Sequence, residues 1–230
     1  MNPTSVLTSG KLIYWFIAGV VTTVLWDVSG WDIKVMQWLG SAQGFPLRDS
    51  WWLDTFFHDW ARNLGLVIYF ALIAAIPWPW RQMRELSRAE RLEVVTGIAL
   101  CLLAVIMLKK FSLTSCPWSL QMFGGTAQYV SHWAWGVPDG GPGRCFPGGH
   151  VSTAFGFLPL AMVWHVKAPQ RMVKLLIAIV CLGLLLGAVQ TLRGAHYPSH
   201  TAWTAIVCAM AAVLNQIGFH QWQTRRAIKQ

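Results

Sequence analysis

The chain alternates long apolar runs with short polar segments. Six apolar runs occupy residues 12–26, 64–80, 92–108, 151–166, 172–189 and 201–217. Each is near the ~17–25 residues that a helix needs to span the hydrocarbon core, and several lie at the short end. Because lipid offers no partner to a free backbone N–H or C=O group, such spanning segments must be helical. The pattern predicts an all-α, polytopic membrane protein with six transmembrane helices in a single domain, residues 1–230.

The composition agrees with a membrane location. Of the residues, 55% are hydrophobic and only 12% are charged, whereas a soluble domain carries about 25% charged residues. Many of the 15 Trp residues lie near the ends of the apolar runs, where tryptophan anchors a helix at the membrane interface. The first run lacks a small-residue cleavage site, so we expect it to be a retained helix.

The basic residues are distributed unevenly between alternate polar segments. With the amino terminus in the cytoplasm, the cytoplasmic segments hold 11 of the 18 basic residues: Lys11, Arg81, Arg84, Arg88, Arg91, Lys167, Arg171, Lys174, Arg225, Arg226 and Lys229. This excess predicts that both termini lie in the cytoplasm. The net charge of +9 then reflects topology and attraction to anionic lipid headgroups. No basic stripe with interleaved aromatic residues is present, so we expect no nucleic-acid partner.

Three polar segments on the predicted outer side of the membrane interrupt the apolar pattern. They occupy residues 109–118, 144–150 and 190–200. Ionisable residues at membrane depth are costly, so three such segments on one side predict a shared polar site. Four basic residues within them can neutralise a phosphate group: Lys109, Lys110, Arg144 and Arg193. Of the two types, arginine is better suited to forked contact with phosphate oxygens.

The second and third segments add the groups that phosphoryl transfer without a metal requires. Gly148 and Gly149 allow positive φ angles and close backbone approach just before a predicted helix. Their amides and the helix amino terminus would then face an anion. His196 and His150 supply a nucleophile and a proton donor.

In this order and spacing, the three segments resemble the type 2 phosphatidic acid phosphatase superfamily. Its pattern is Lys-x6-Arg-Pro, then Pro-Ser-Gly-His, then Ser-Arg-x5-His-x3-Asp, at the outer ends of a six-helix core. The matching residues are Lys109, Pro117, Pro147, Gly149, His150 and His196. The resemblance implies a metal-free mechanism with no cofactor, in which His196 attacks phosphorus and forms a phosphohistidine. His150 would protonate the leaving alkoxide and then activate water, while Lys109 and nearby groups hold the equatorial oxygens.

The sequence departs from the superfamily pattern at four places. Cys116, Gly148 and His200 stand where the pattern has Arg, Ser and Asp, and Val189-Gln190 stands where it has Ser-Arg. Our hypothesis is that Arg193 and Arg144 supply the missing guanidinium groups from other backbone positions.

His200 is the departure with the clearest chemical consequence. A neutral imidazole can accept the Nδ1–H of His196 and fix its tautomer, but it lacks the negative charge with which a carboxylate stabilises an imidazolium. Either another acid such as Asp139 or Asp59 contributes that charge, or the nucleophile is activated more weakly.

Two further pairs of residues suggest a disulfide and a metal site. Cys116 and Cys145 flank two of the motifs on the oxidising side, so we expect a disulfide between them, with two unpaired thiols as the alternative. His196 and His200 are four positions apart, a spacing that also suits a metal site. Because Pro198 interrupts the turn and no third ligand is evident, we expect no metal ion.

The motifs resemble a bacterial subgroup of the superfamily, which implies a lipid phosphatase of the bacterial inner membrane. The expected reaction is hydrolysis of a phosphomonoester or pyrophosphate on a membrane lipid at the periplasmic face. Lipid A phosphates, undecaprenyl pyrophosphate and phosphatidylglycerol phosphate are the candidate substrates. Two alternatives stay open: a phosphotransferase that passes the phosphate to another lipid, and a non-catalytic lipid-binding or transport protein on the same scaffold.

Overall fold

The protein folds into a helical bundle. The computed structural model describes the backbone of residues 9–228 and the side chains of residues 13–56 and 59–226, so Lys11 and Lys229 lie outside the described side chains. The α-helices in that range are α1 (Ser9–Ser29), α2 (Trp31–Leu39), α3 (Ala61–Ala74), α4 (Arg88–Phe111), α5 (Ser152–Phe155), α6 (Leu158–Met162), α7 (Pro169–Leu192) and α8 (Pro198–Ile228). A π-helical segment, Trp52–Trp60, leads directly into α3.

The bundle is that of a multi-pass membrane protein. By length and composition, α4, α7 and α8 can each cross a membrane. The pair α1 and α2 forms a fourth candidate span, with a bend of 68° between its two helices. Among the described residues there are thus three or four candidate spans, and the six spans predicted from the apolar runs are not confirmed.

The two remaining runs are helical but shorter than predicted. The run at residues 64–80 contains α3, which has 14 residues and ends shortly before Pro77 and Pro79. Proline lacks the backbone N–H that continues a helix, which accounts for the early end. The run at residues 151–166 is divided into the short helices α5 and α6. Apolar composition predicted helices in both runs but not these breaks.

Helix α4 links the basic end of the bundle to the predicted site. It begins with a capping box in which Ser87 Oγ accepts the Glu90 amide and the Glu90 carboxylate accepts the Ser87 amide. These bonds satisfy donors that a helix start would leave unpaired. Lys109 follows Arg88, the first residue of this helix, by 21 positions, so the helix carries it about 32 Å along the bundle at 1.5 Å per residue.

An apolar core lies directly next to the second polar segment. Cys101 and Val105 of α4 pack there with Val151, Phe155 of α5 and Cys208 of α8. All five side chains are buried. Because Val151 immediately follows His150, this packing holds the start of the loop–helix junction in place.

Candidate active site

Lys109, and not Lys110, faces the second polar segment. Lys109 is half-buried, whereas Lys110 is exposed. A Cβ atom built on Gly149 would lie 3.1 Å from Lys109 Nζ. The amine therefore sits against the Gly149 backbone, and any side chain at position 149 would displace it.

A disulfide joins the first polar segment to the second. Cys116 and Cys145 are bonded, with their Cα atoms 5.1 Å apart. The expected bond is present, and the alternative of two unpaired thiols is wrong. Cys116, Cys145 and His196 form a group whose potential ligand atoms lie within 4.8 Å of one another among the described residues. Since a metal ion binds a thiolate, bonded sulfurs do not suit that role.

Backbone hydrogen bonds bring the third polar segment to the other two. Trp118 N donates to Gly194 O at 2.9 Å, which joins the first segment to the third. Gly148 N donates to His200 O at 3.4 Å, and Thr204 Oγ1 donates to Gly148 O at 3.0 Å. The three segments thus meet at one end of the bundle.

The two motif glycines permit close approach but do not adopt positive φ angles. Positive φ occurs instead at Gly143 (63°) and at the neighbouring Arg144 (57°). Gly148 and Gly149 therefore do not use the positive φ angles that glycine allows, because the turn that needs them comes earlier in the loop. The Gly148 amide is engaged by His200 O. The Gly149 amide donates to no group in the described part of the chain, so it remains available beside Lys109.

The turn after α7 positions His196. Gly194 has a φ of 75°, and a Cβ atom there would lie 2.3 Å from the Phe45 ring. Both the conformation and the contact require glycine. The amides of Ala195 and His196 then donate to Gln190 O at 2.9 and 3.3 Å. As a result the His196 side chain is held in the interior, with 3% of its surface exposed.

His196 and His200 meet through their Nδ1 atoms, which are 3.4 Å apart. His200 is 1% exposed. The Nδ1 atom of His196 also lies 3.4 Å from Cys145 Sγ, but a disulfide sulfur carries no hydrogen and is at most a weak acceptor. A hydrogen bond at Nδ1 fixes the tautomer that leaves the reactive lone pair on Nε2. The geometry suits a histidine nucleophile oriented by a second histidine.

Arg193 is occupied by a carboxylate. Its Nη2 atom lies 2.5 Å from Asp54 Oδ1, and its Nε donates to Arg48 O at 3.0 Å. The guanidinium is 7% exposed and the Asp54 carboxylate 49% exposed. The structure thus pairs Arg193 with the π-helical segment, and its predicted contact with substrate stays a prediction. Arg144, by contrast, has an exposed side chain.

His150 sits at the start of α5. Its carbonyl accepts the Thr153 hydroxyl at 2.6 Å and the Thr153 amide at 3.1 Å. The residue is half-buried and directly follows Gly149. The predicted proton donor therefore belongs to the same short loop that Lys109 contacts.

Comparison with known proteins agrees with this geometry. The PAP2 superfamily matches residues 91–226, which run from the start of α4 almost to the end of α8. The chain belongs to the PAP2 superfamily. Its members are generally phosphatases that hydrolyse phosphoester bonds, so PAP2 membership implies phosphatase or phosphotransferase activity on phosphorylated substrates. No curated protein and no solved structure matches the chain.

Asp139 does not take the place of the acid missing from the PAP2 pattern. Its carboxylate accepts the Ser115 amide, the Ser115 hydroxyl at 2.9 Å and the Gly141 amide at 2.9 Å. It is buried and holds the loop between the first two motifs. Asp59, the other acid considered, lies in the π-helical segment Trp52–Trp60.

An acid–histidine pair that the PAP2 motifs do not include lies behind His200. His132 Nε2 lies 3.4 Å from Asp27 Oδ2. The His132 ring stacks on Phe146 with centroids 4.2 Å apart and lies 5.3 Å from the His200 ring. No sequence motif points to a role for His132. The available signal was Asp27, an acid immediately after the first apolar run, because ionisable groups at membrane depth are often functional.

Proposed function

We propose that this protein is a membrane lipid phosphatase that acts through a phosphohistidine at His196. The reaction is hydrolysis of a phosphomonoester or pyrophosphate at the periplasmic face. The observation that carries the proposal is the contact between His196 Nδ1 and His200 Nδ1 at 3.4 Å. A histidine whose Nδ1 is held in this way presents Nε2 as a nucleophile.

In the first step, Nε2 of His196 attacks phosphorus. A nitrogen–phosphorus bond forms as the bond from phosphorus to the leaving oxygen breaks. His150 gives its proton to that oxygen, so that the lipid leaves as an alcohol, or as a phosphate when the substrate is a pyrophosphate. The imidazole of His196 takes on positive charge and keeps its Nδ1–H directed at His200.

Charge on the phosphoryl oxygens is stabilised by groups at the junction of the first two motifs. The Lys109 amine lies against Gly149, and the Gly149 amide has no backbone acceptor in the described part of the chain, so both donors are available to a phosphoryl group bound there. Phosphoryl transfer depends mainly on such positioning and electrostatic stabilisation. Arg144, exposed beside the disulfide, adds a guanidinium that can reach a charged headgroup.

In the second step, His150 accepts a proton from water, and the resulting hydroxide attacks the phosphohistidine. The nitrogen–phosphorus bond breaks, inorganic phosphate leaves and neutral His196 is regenerated. No metal ion or cofactor takes part in either step.

The surroundings of the site support a lipid substrate. An apolar cavity of about 250 Å³ lies between α3, the α5–α6 pair and α7. Gly65, Thr153, Phe157 and Ile179 are among its lining residues. Thr153 is three positions after His150, so a hydrocarbon chain in this cavity would begin close to the proposed proton donor. Lipid A, undecaprenyl pyrophosphate and phosphatidylglycerol phosphate all join such chains to a phosphate.

The test is phosphate release by the purified protein in detergent with EDTA, from a panel of these three lipids. We expect release from at least one lipid, loss of release in His196→Asn, and no loss in the matched variant His165→Asn, since His165 is an exposed histidine away from the motifs. Transfer of labelled phosphate to a second lipid instead of water would identify a phosphotransferase. Absence of both products would reject the catalytic proposal.

A further inference from the structure

We infer that Asp27 and His132 act through His200 as positioning residues, and that Asp27 provides the negative charge which the PAP2 pattern places at position 200. The inference rests on the phosphohistidine function proposed above. It explains how a histidine can stand where the superfamily pattern has an aspartate.

The four side chains lie next to one another, although no unbroken chain of hydrogen bonds joins them: His132 Nε2 and His200 Nε2 have no hydrogen-bond partner among the described residues. His196 Nδ1 lies 3.4 Å from His200 Nδ1. The His200 ring lies 5.3 Å from the His132 ring at an interplanar angle of 85°. His132 Nε2 in turn lies 3.4 Å from Asp27 Oδ2. The path therefore runs from the nucleophile to a carboxylate at the end of α1.

Asp27 is placed to remain ionised. Its Oδ2 atom accepts the indole N–H of Trp203 at 2.7 Å and that of Trp133 at 3.0 Å. The side chains of Asp27 and His132 are 6% and 8% exposed. An indole N–H only donates, so both bonds favour the charged carboxylate. Burial then lets that charge act over a longer distance than it would in water.

The protonation pattern that this path requires places a proton on a buried nitrogen of His200. To accept the Nδ1–H of His196 on its own Nδ1, neutral His200 must carry its proton on Nε2. His200 Nε2 is buried and has no hydrogen-bond partner among the described residues. The ring is enclosed by the aromatic rings of Phe146, His132 and Tyr197, with centroids 5.1 to 5.3 Å away. Aromatic faces are negative, and Asp27 lies beyond one of them.

Other charged groups near His200 do not provide the same effect. Asp32 is buried, and its carboxylate accepts the Ser199 amide, the Ser199 hydroxyl and the Trp26 indole. Burial raises the pKa of the Tyr197 phenol well above its usual value, so this ring stays neutral beside His200. Asp27, in contrast, lies beside His132, and the His132 ring contacts the His200 ring.

No proton needs to leave His196 for the path to act. As the nitrogen–phosphorus bond forms, the imidazole becomes positive and the electrons of the broken phosphorus–oxygen bond go to the leaving oxygen, which takes the His150 proton. The Nδ1–H bond to His200 then strengthens, and Asp27 stabilises the positive charge through the intervening rings. A carboxylate in direct contact does this in comparable triads.

The test is a double-mutant cycle on the purified full chain, with whichever panel lipid the native protein hydrolyses. Asp27→Asn keeps the size of the side chain but removes its negative charge. His132→Phe keeps an aromatic ring beside Phe146 but removes the imidazole that lies between Asp27 and His200. In the native background, each should lower kcat by about tenfold or more with little change in KM. In a His200→Asp background, which supplies a carboxylate directly, each should change kcat by no more than about twofold.

Asp32→Asn is the matched control. It removes another buried carboxylate that accepts an indole N–H, and it should lower kcat by the same factor in both backgrounds. Asp27→Glu, which keeps the charge, should retain more activity than Asp27→Asn. It also serves as a second variant if Asp27→Asn fails to fold by size-exclusion chromatography.

Three results would overturn the inference. One is an equal loss in both backgrounds after Asp27→Asn, which indicates a structural role. Another is native-level turnover in that variant. The third is a folded but inactive His200→Asp protein. A native protein that hydrolyses no lipid contradicts the proposed function itself, and so is distinguishable from all three.

Discussion

His196 and His200 face each other through Nδ1 atoms 3.4 Å apart, although α8 begins only at Pro198 between them. The contact forms because Gly194 turns the chain at the end of α7 and the amides of Ala195 and His196 both return to Gln190 O. The third motif therefore holds its two histidines by backbone geometry before any substrate binds.

The first prediction concerns His200. His200→Asp should preserve or raise turnover, because a carboxylate both accepts the Nδ1–H of His196 and stabilises its positive charge. His200→Phe should lower kcat by about 100-fold, because the orienting acceptor is lost. Steady-state phosphate release from the preferred lipid measures both. Equal activity in the two variants would show that His200 does not orient the nucleophile.

The second prediction separates the two adjacent lysines. Lys109→Met should lower kcat/KM by about 100-fold or more, because its amine lies against Gly149, where we propose that phosphoryl charge is stabilised. Lys110→Met, the matched variant, should stay within about threefold, because that side chain is exposed. The same phosphate-release assay applies. A larger loss in Lys110→Met than in Lys109→Met would show that Lys110 contacts the phosphate, which would contradict the prediction.

The third prediction concerns the ion pair between Arg193 and Asp54. If Arg193 binds substrate, the phosphate must displace the Asp54 carboxylate. Asp54→Asn should then lower KM by about fivefold, since a half-exposed pair contributes roughly 1 kcal/mol. Arg193→Ala should raise KM. Unchanged KM in both variants, with a lower melting temperature in Arg193→Ala, would mean that the pair only holds the π-helical segment.

The fourth prediction concerns the disulfide, which closes a separation of 29 residues. Replacing Cys116 and Cys145 together with Ser should lower the free energy of unfolding by about 3 kcal/mol, because the unfolded chain regains loop entropy. Thermal unfolding in detergent measures the loss. Cys181→Ser is the control, since Cys181 is a free and exposed cysteine. A double variant as stable as this control would contradict the prediction.

Helices were predictable from apolar composition, but their continuity was not. The runs at residues 92–108, 172–189 and 201–217 correspond to α4, α7 and α8. Apolar composition indicates which segments are removed from water. It does not indicate whether such a segment forms one continuous helix or two short ones. The division of the run at residues 151–166 into α5 and α6 therefore left no trace in hydropathy.

The site was predictable where its chemistry is local in sequence. Lys109, His150 and His196 each lie within a short motif, and hydrogen bonds or a disulfide join the three motif segments. The Asp27–His132 pair is different, because it depends on tertiary packing between distant segments. The neighbouring Trp133 and Asp27 are 106 positions apart, so no spacing rule connects them. The ion pair of Arg193 with Asp54 was missed for the same reason.

Detection of phosphate on His196 tests the proposed phosphohistidine mechanism most directly. The purified protein would be mixed with its preferred lipid phosphate and quenched within milliseconds in alkali, in which phosphohistidine is stable. Peptide mass spectrometry would then locate the modification. We expect a phosphorylated His196 peptide that forms and decays during turnover and is absent from His196→Asn. Lipid hydrolysis with phosphate on another residue, or full turnover in His196→Asn, would contradict it.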